Sequence, residues 1–114
     1  MNGKSVHLLI TDDHNMIRTA LTRLIRTFRF PTVIYEAANG LEALHIISSN
    51  PIDIILLDMQ MPVLNGMETL KRMEDLASRP RVIVLTQFDD KSLIVFMLQH
   101  GANGFLLKLS LIHI

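Results

Sequence analysis

The chain contains no cysteine, carries no net charge and has no long hydrophobic run. Without cysteine it can form neither a disulfide framework nor a thiolate metal site or nucleophile. The balance of 11 basic and 11 acidic residues argues against a nucleic-acid surface in this segment. Its apolar runs are far shorter than the roughly 20 residues that a membrane span needs, and the N-terminus shows no signal-peptide pattern. We therefore expect a cytoplasmic domain with no membrane contact.

Apolar residues make up 49% of the 114 positions, which is enough to bury the core of one small domain. The main apolar run covers residues 52–58 and ends at Asp58. An almost unbroken run of Ile and Leu is typical of a strand buried on both faces of a parallel sheet. Asp58 then lies at the carboxyl end of a strand, where open α/β sheets bind ligands.

Similar runs predict four more strands, over residues 6–10, 32–36, 82–85 and 105–107. Helices are predicted between the strands, one over about 14–29 from apolar spacing of three and four residues, and others after Asn39, Asn65 and Asp89-Asp90. Asn39 and Asn65 are each followed three positions later by a glutamate, which is a helix-start pattern. Alternating strands and helices predict a doubly wound α/β fold, and we expect a flavodoxin-like parallel sheet of five strands in the order 2-1-3-4-5.

Polar side chains follow four of the five predicted strands, and they are Asp12 with Asp13, Asp58, Thr86 and Lys108. In the expected strand order, the carboxyl ends of these strands meet at one edge of the sheet. The three carboxylates of Asp12, Asp13 and Asp58 are then expected to lie close together. Three carboxylates in one pocket favour protonation of one of them or the presence of a cation, and one lysine supplies a single charge. Oxygen ligands with open positions suit Mg²⁺. These residues predict a phosphoryl site in which a carboxylate attacks phosphorus, while Lys108 and the Thr86 hydroxyl stabilise the phosphoryl oxygens.

This pattern resembles the receiver domain of bacterial two-component response regulators over about residues 5–108. The residues that carry the resemblance are the acidic pair, Asp58 with Met61-Pro62 and Gly66 downstream, Thr86, and Lys108 after Gly104-Phe105-Leu106-Leu107. The resemblance implies a domain over residues 1–108 whose phosphoacceptor is Asp58.

The resemblance also implies roles for the other residues. Asp12, Asp13, Asp58 and the backbone carbonyl of Gln60 would hold Mg²⁺, and Thr86 with Phe105 would form the switch pair. The implied partners are a sensor histidine kinase or phosphotransfer protein, and a DNA-binding output domain in a longer protein, with a homodimer left open. The domain would be a phosphoacceptor switch and not an enzyme in the usual sense.

The sequence departs from the family after Lys108, where a complete receiver has a fifth helix. Residues 109–114 form an atypical tail with no charged residue. This tail also resembles translated sequencing-adapter read-through, so a non-native origin is one interpretation of it. We expect a fragment of a longer regulator that leaves apolar surface open, and an isolated chain that is poorly stable or self-associates.

Three other functions remain open on the sequence alone. The first is a flavodoxin-like cofactor binder, although Asp12-Asp13 would repel a phosphate in the absence of a metal. The second is a phosphatase with an Asp nucleophile, which usually has its second Asp two residues further on and not adjacent. The third is a receiver fragment that no longer signals.

Overall fold

The structure is a computed structural model, and it describes residues 5–87 and 91–108. The strands are β1 (Val6–Thr11), β2 (Thr32–Ala37), β3 (Ile54–Asp58), β4 (Arg81–Thr86) and β5 (Gly104–Leu107). The helices are α1 (Asn15–Ile25), α2 (Gly40–Ser49), α3 (Gly66–Met73) and α4 (Lys91–Gln99). The strands form one sheet in the order β2-β1-β3-β4-β5, and every neighbouring pair is parallel. The predicted fold class and strand order are confirmed.

The sheet buries apolar side chains on both faces. Along β1, Leu9 contributes to the cluster that faces α2 and α3, whereas Leu8 and Ile10 contribute to the cluster that contains α1. Successive side chains of a strand point to opposite faces, so an unbroken apolar run supplies both clusters at once. The central strands β1 and β3 therefore form a rigid support whose carboxyl ends carry Asp12 and Asp58.

The predicted helix-start pattern is confirmed at α2 and α3. The Asn39 side chain accepts a 3.0 Å hydrogen bond from the Glu42 N–H, and Glu42 in turn accepts a 2.8 Å bond from the Ala38 N–H. Asn65 accepts a 2.9 Å bond from the Glu68 N–H in the same way. Each side chain satisfies a backbone donor that the first helical turn leaves without a partner. The Asp89-Asp90 start of α4 lies outside the described residues.

Two predicted boundaries were wrong. The α1 helix ends at Ile25, short of residue 29, and beyond it the Thr27 hydroxyl donates to the Leu24 carbonyl over 2.6 Å. β3 begins at Ile54 and not at residue 52. Asp53 lies outside the strand, where its side chain accepts a 2.8 Å bond from the backbone N–H of His7.

One face of the sheet carries an open apolar groove beside α1. Its volume is 360 Å³, and its lining includes Leu24, Phe28, Phe30, Ile83 and Leu106. Phe28 and Phe30 are 43% and 49% exposed. Within residues 5–87 and 91–108, α1 is the helix whose side chains line this groove. In the same part of the chain, no helix has the length and apolar character needed to span a membrane.

Candidate functional site

The register of the sheet brings the predicted strand ends to one edge. Thr11 pairs with Leu57 and Thr86 pairs with Leu107. Asp12, Asp58 and Lys108 therefore lie at neighbouring positions although they are far apart in sequence. All three are almost fully buried. Burial of three charged groups at one point requires that they interact with one another or with a bound ion.

Lys108 joins the first and third strand ends through two ion pairs. Its Nζ atom lies 2.8 Å from Asp12 Oδ2 and 3.1 Å from Asp58 Oδ1. The backbone N–H of Lys108 donates to the Thr86 carbonyl over 2.8 Å, which ties the lysine to the end of β4. One ammonium group thus faces two carboxylates. When both carboxylates are ionised, the charges of Lys108, Asp12 and Asp58 together are negative.

The environment of Asp58 raises the pKa of its carboxyl group. Burial first, and then the negative charge of Asp12, raise the pKa of Asp58 from 3.8 to about 6, although Lys108 and the Gln60 N–H act in the opposite direction. Burial alone would lower the pKa of Lys108, but its hydrogen bond to Asp12 and the charge of Asp58 outweigh burial and raise that pKa. The lysine therefore stays charged. The ionised form of Asp58 is destabilised by its surroundings, and a further cation would reduce this destabilisation.

Asp13 lies at the mouth of the site, next to His14, a residue that was not among those predicted for the site. His14 Nδ1 is 3.1 Å from Asp12 Oδ1 and 3.2 Å from Asp13 Oδ1. The backbone N–H of His14 also donates to Asp12 Oδ1 over 2.8 Å. The only signal in the sequence was that His14 directly follows the acidic pair.

Arg18 was also missed, and it holds the loop that carries the acidic pair. Its guanidinium donates to the backbone carbonyl of Asp12 over 2.5 Å and to Glu36 Oε1 over 3.0 Å. A further bond of 3.3 Å reaches Asn15 Oδ1. These contacts connect the first turn of α1, the end of β2 and the loop after β1. Apart from its position within the predicted helix over residues 14–29, nothing in the sequence distinguishes Arg18.

The loop after β3 packs tightly beneath Asp58. The Gln60 N–H donates to Asp58 Oδ1 over 3.3 Å, so the peptide of Gln60 lies beside the carboxylate. A Cβ atom at Gly66 would lie 2.2 Å from the Asp58 carbonyl oxygen, so only glycine fits there. The role of the Gln60 carbonyl as a metal ligand stays a prediction.

The predicted switch pair lies at the edge of the sheet next to the site. Thr86 is buried, whereas the Phe105 ring is 46% exposed. Both residues line a small cavity with Leu93, Ile94 and Met97 of α4. A movement of the Thr86 side chain would therefore affect the packing of α4. That Thr86 and Phe105 act as a switch pair stays a prediction.

The residues at this edge fit a divalent cation. Asp12, Asp13, His14 and Asp58 each offer a ligand atom, and these atoms lie within 4.8 Å of one another. Among the described residues, Asp58 Oδ2 is buried and has no hydrogen-bond partner. A buried, unsatisfied carboxylate oxygen next to other carboxylates is a suitable position for a hard cation such as Mg²⁺.

A parallel five-stranded sheet with an acidic pocket and a lysine at its edge defines a class of signalling domain, and the comparison with known families agrees. The model of the response regulator receiver domain family matches residues 8–111. The chain belongs to this family.

The curated relatives include proteins named as response regulators and as transcriptional regulatory proteins. The nitrate/nitrite response regulator NarL of Escherichia coli is 36% identical over 107 residues, which cover 94% of this chain and 50% of NarL. The transcriptional regulatory protein LnrK of Bacillus subtilis is 38% identical over 103 residues, which cover 90% of this chain and 47% of LnrK. The chain thus spans about half the length of the curated relatives it matches.

Solved structures show the same similarity at the level of the fold. The signal receiver domain of a NarL response regulator from Mycobacterium tuberculosis superposes with a TM-score of 0.84 at 30% identity, covering 92% of this chain and 85% of that one. The response regulator domain of CheB from Thermotoga maritima has a TM-score of 0.83 at 29% identity, covering 91% of this chain and 78% of that one.

Proposed function

We propose that Asp58 accepts a phosphoryl group from a sensor histidine kinase or phosphotransfer protein, in a reaction that depends on Mg²⁺. The observation that carries this proposal is the buried Asp58 carboxylate, which faces Lys108 and has one oxygen without a partner in the described part of the chain. Family membership supports the same assignment.

In the proposed transfer, Asp58 acts as the nucleophile and Lys108 stabilises the phosphoryl group. An oxygen of Asp58 forms a bond to phosphorus while the bond between phosphorus and the donor nitrogen breaks, and the electron pair leaves with that nitrogen. A pKa of about 6 leaves Asp58 largely ionised at neutral pH, so no general base is needed. Lys108 already contacts Asp58 and is placed to pair with the phosphoryl oxygens.

Asp12, Asp13, Asp58 and the Gln60 carbonyl would hold Mg²⁺, whose charge would neutralise the phosphoryl oxygens. The Thr86 hydroxyl would then hydrogen-bond to the phosphoryl group, and Phe105 would repack against α4. The domain would thus act as a switch that catalyses at most its own phosphorylation and dephosphorylation.

The output of the full-length protein is also a proposal. LnrK is named a transcriptional regulatory protein, and this chain spans 47% of it. We therefore infer a DNA-binding output domain in the longer protein. A cytoplasmic location and a homodimer remain predictions.

The proposal is tested by mass spectrometry of the intact chain after incubation with acetyl phosphate and Mg²⁺. The native chain and an Asp75→Asn control, altered at an exposed aspartate, should gain one phosphoryl group that hydroxylamine removes, as expected of an acyl phosphate. Asp58→Asn should gain none, and EDTA should prevent the gain. A native chain that is folded yet keeps its mass, or equal labelling of Asp58→Asn, would contradict the proposal.

A further inference from the structure

His14 occupies a position within the acidic site that neither the sequence analysis nor the proposed function uses. Its Nδ1 atom lies 3.1 Å from Asp12 Oδ1 and 3.2 Å from Asp13 Oδ1. The side chain is 55% exposed, so the ring lies at the solvent side of the pocket. The buried side of the pocket is formed by Asp58 and Lys108.

The spacing of these atoms matches a coordination shell. In an octahedral site with bonds of about 2.1 Å, neighbouring ligand atoms are separated by about 3 Å. The separations of His14 Nδ1 from the two carboxylate oxygens are close to this value. The ligand atoms of Asp12, Asp13, His14 and Asp58 all lie within 4.8 Å of one another. Small side-chain movements would therefore place an imidazole nitrogen and carboxylate oxygens on the same ion.

A second observation points to a ligand at this place. Asp58 is 2% exposed, and its Oδ2 atom has no hydrogen-bond partner among the described residues. A buried polar atom without a partner is costly unless an ion or water satisfies it. The pocket therefore has a reason to take up a cation, independent of where His14 points.

We propose that His14 Nδ1 is a protein ligand when this site holds a first-row transition ion such as Mn²⁺ or Co²⁺, together with the carboxylates of Asp13 and Asp58. This inference rests on the proposed function only in sharing its cation site. The alternative is that His14 Nδ1 only hydrogen-bonds to Asp12 Oδ1 and lies close to Asp13 Oδ1, without binding an ion.

The added nitrogen changes which ions the site prefers. The affinity of a site with nitrogen and oxygen ligands for first-row transition ions rises from Mn²⁺ to Co²⁺, whereas Mg²⁺ prefers oxygen ligands and keeps several waters. Loss of the imidazole should lower the affinity for Co²⁺ about tenfold and leave the affinity for Mg²⁺ within about twofold. A histidine that merely shapes the loop would change both affinities by the same factor.

The first test is pulsed electron paramagnetic resonance of bound Mn²⁺ at pH 8, with histidine labelled with nitrogen-15. The native chain should show coupling from a directly bound histidine nitrogen. His14→Gln should lose this coupling. His45→Gln, which makes the same change at an exposed position on α2, should keep it. Absence of the coupling in the native chain, or its persistence in His14→Gln, would overturn the proposal.

The second test is isothermal titration calorimetry with Co²⁺ and Mg²⁺ on the same variants, each first shown to melt cooperatively. A selective loss of Co²⁺ affinity in His14→Gln supports the proposal, and equal changes for both ions contradict it. Phosphorylation of His14→Gln by acetyl phosphate with Mg²⁺ separates the two ideas. If acetyl phosphate still labels Asp58, the proposed function stands. If the native chain also shows no coupling from a histidine nitrogen, the proposed role of His14 fails while the proposed function is retained.

Discussion

The Nζ atom of Lys108 lies 2.8 Å from Asp12 Oδ2, so a residue that follows the edge strand β5 is paired with one that follows the central strand β1. The same ammonium group lies 3.1 Å from Asp58 Oδ1. The lysine thus spans the end of β3 and holds together two carboxylates that repel each other.

Replacement of Lys108 by methionine should destabilise the fold in a pH-dependent way. Removal of one partner from a buried ion pair costs about 3 kcal/mol, because the remaining charge is unpaired. The loss should be largest at pH 7.5 and smaller at pH 5, where Asp58 can take up a proton. Urea unfolding at the two pH values measures the difference. Lys71→Met, at an exposed position of α3, is the matched control, and equal losses in both variants at both pH values would contradict the expectation.

Replacement of Asp58 by asparagine should stabilise the chain at neutral pH in the absence of metal. The pKa of Asp58 is raised from 3.8 to about 6, so the folded state binds this proton more tightly than the unfolded chain does. This contribution to stability is fully present below about pH 3.8 and is lost as the pH rises through about 6. Asparagine resembles the neutral acid and avoids the loss, which is on the order of 3 kcal/mol.

Urea unfolding of the native chain and Asp58→Asn at pH 4.5 and pH 7.5 tests this. The two free energies of unfolding should differ most at pH 7.5, and the difference should be clearly smaller at pH 4.5, where Asp58 of the folded native chain is already protonated. Mg²⁺ should narrow the gap at pH 7.5, because it binds the ionised carboxylate of the native chain. A native chain more stable than Asp58→Asn at pH 7.5 without metal would show that the ionised carboxylate is not strained.

Arg18 should control the affinity for the metal without touching it. Because its guanidinium donates to the Asp12 carbonyl and to Glu36, Arg18→Gln should loosen the loop that presents the acidic pair. Loss of such a supporting contact lowers metal affinity by roughly tenfold. Calorimetric titration with Mg²⁺ measures it, with Arg23→Gln on the same helix as control. An unchanged Mg²⁺ affinity in a less stable Arg18→Gln would mean that the arginine supports the fold alone.

Gly66 should tolerate no side chain. A Cβ atom there would lie 2.2 Å from the Asp58 carbonyl oxygen and 2.8 Å from Met59 Cα, so the loop after β3 would have to move. Gly66→Ala should lose about 2 kcal/mol of stability, within the range seen for overpacking. Gly104→Ala is the control, because no atom lies within 4 Å of the added carbon. Thermal unfolding that ranks the two variants equally would contradict this.

The groove beside α1 should cause self-association of the isolated chain. Phe28 and Phe30 expose nearly half of their surface there, and burial of apolar area favours association. The apparent mass by light scattering should rise with concentration. Phe30→Ser should reduce this rise, whereas Leu41→Ser, at an exposed leucine of α2, should not. A monomer at every concentration that melts cooperatively would contradict the expectation.

The sequence predicted the parts of the fold that local patterns encode. The unbroken apolar runs identified the strands, and the Asn39 and Asn65 patterns identified two helix starts. The strand order followed from these elements and the expected fold, and it placed Asp12, Asp58 and Lys108 together. These predictions succeeded because parallel strands bring their carboxyl ends to a single edge.

Contacts between distant segments could not be predicted in this way. Arg18 contacts Glu36 across 18 positions, and nothing in the helical spacing of α1 distinguishes it from Arg23. The start of β3 shifted because Asp53 bonds to the His7 backbone across 46 positions. The end of α1 depended on the Thr27 hydroxyl, a local competitor that apolar spacing does not reveal.

The composition of the pocket also affects how cooperatively the strands of the sheet unfold. Its charged groups come from the first, third and last strands of the chain, so no contiguous segment can form it alone. A cation that binds there favours only conformations in which β1, β3, β4 and β5 are all paired. Metal should therefore slow hydrogen exchange most in the central strands, and occupancy of one small pocket would report on the cooperativity of these four strands.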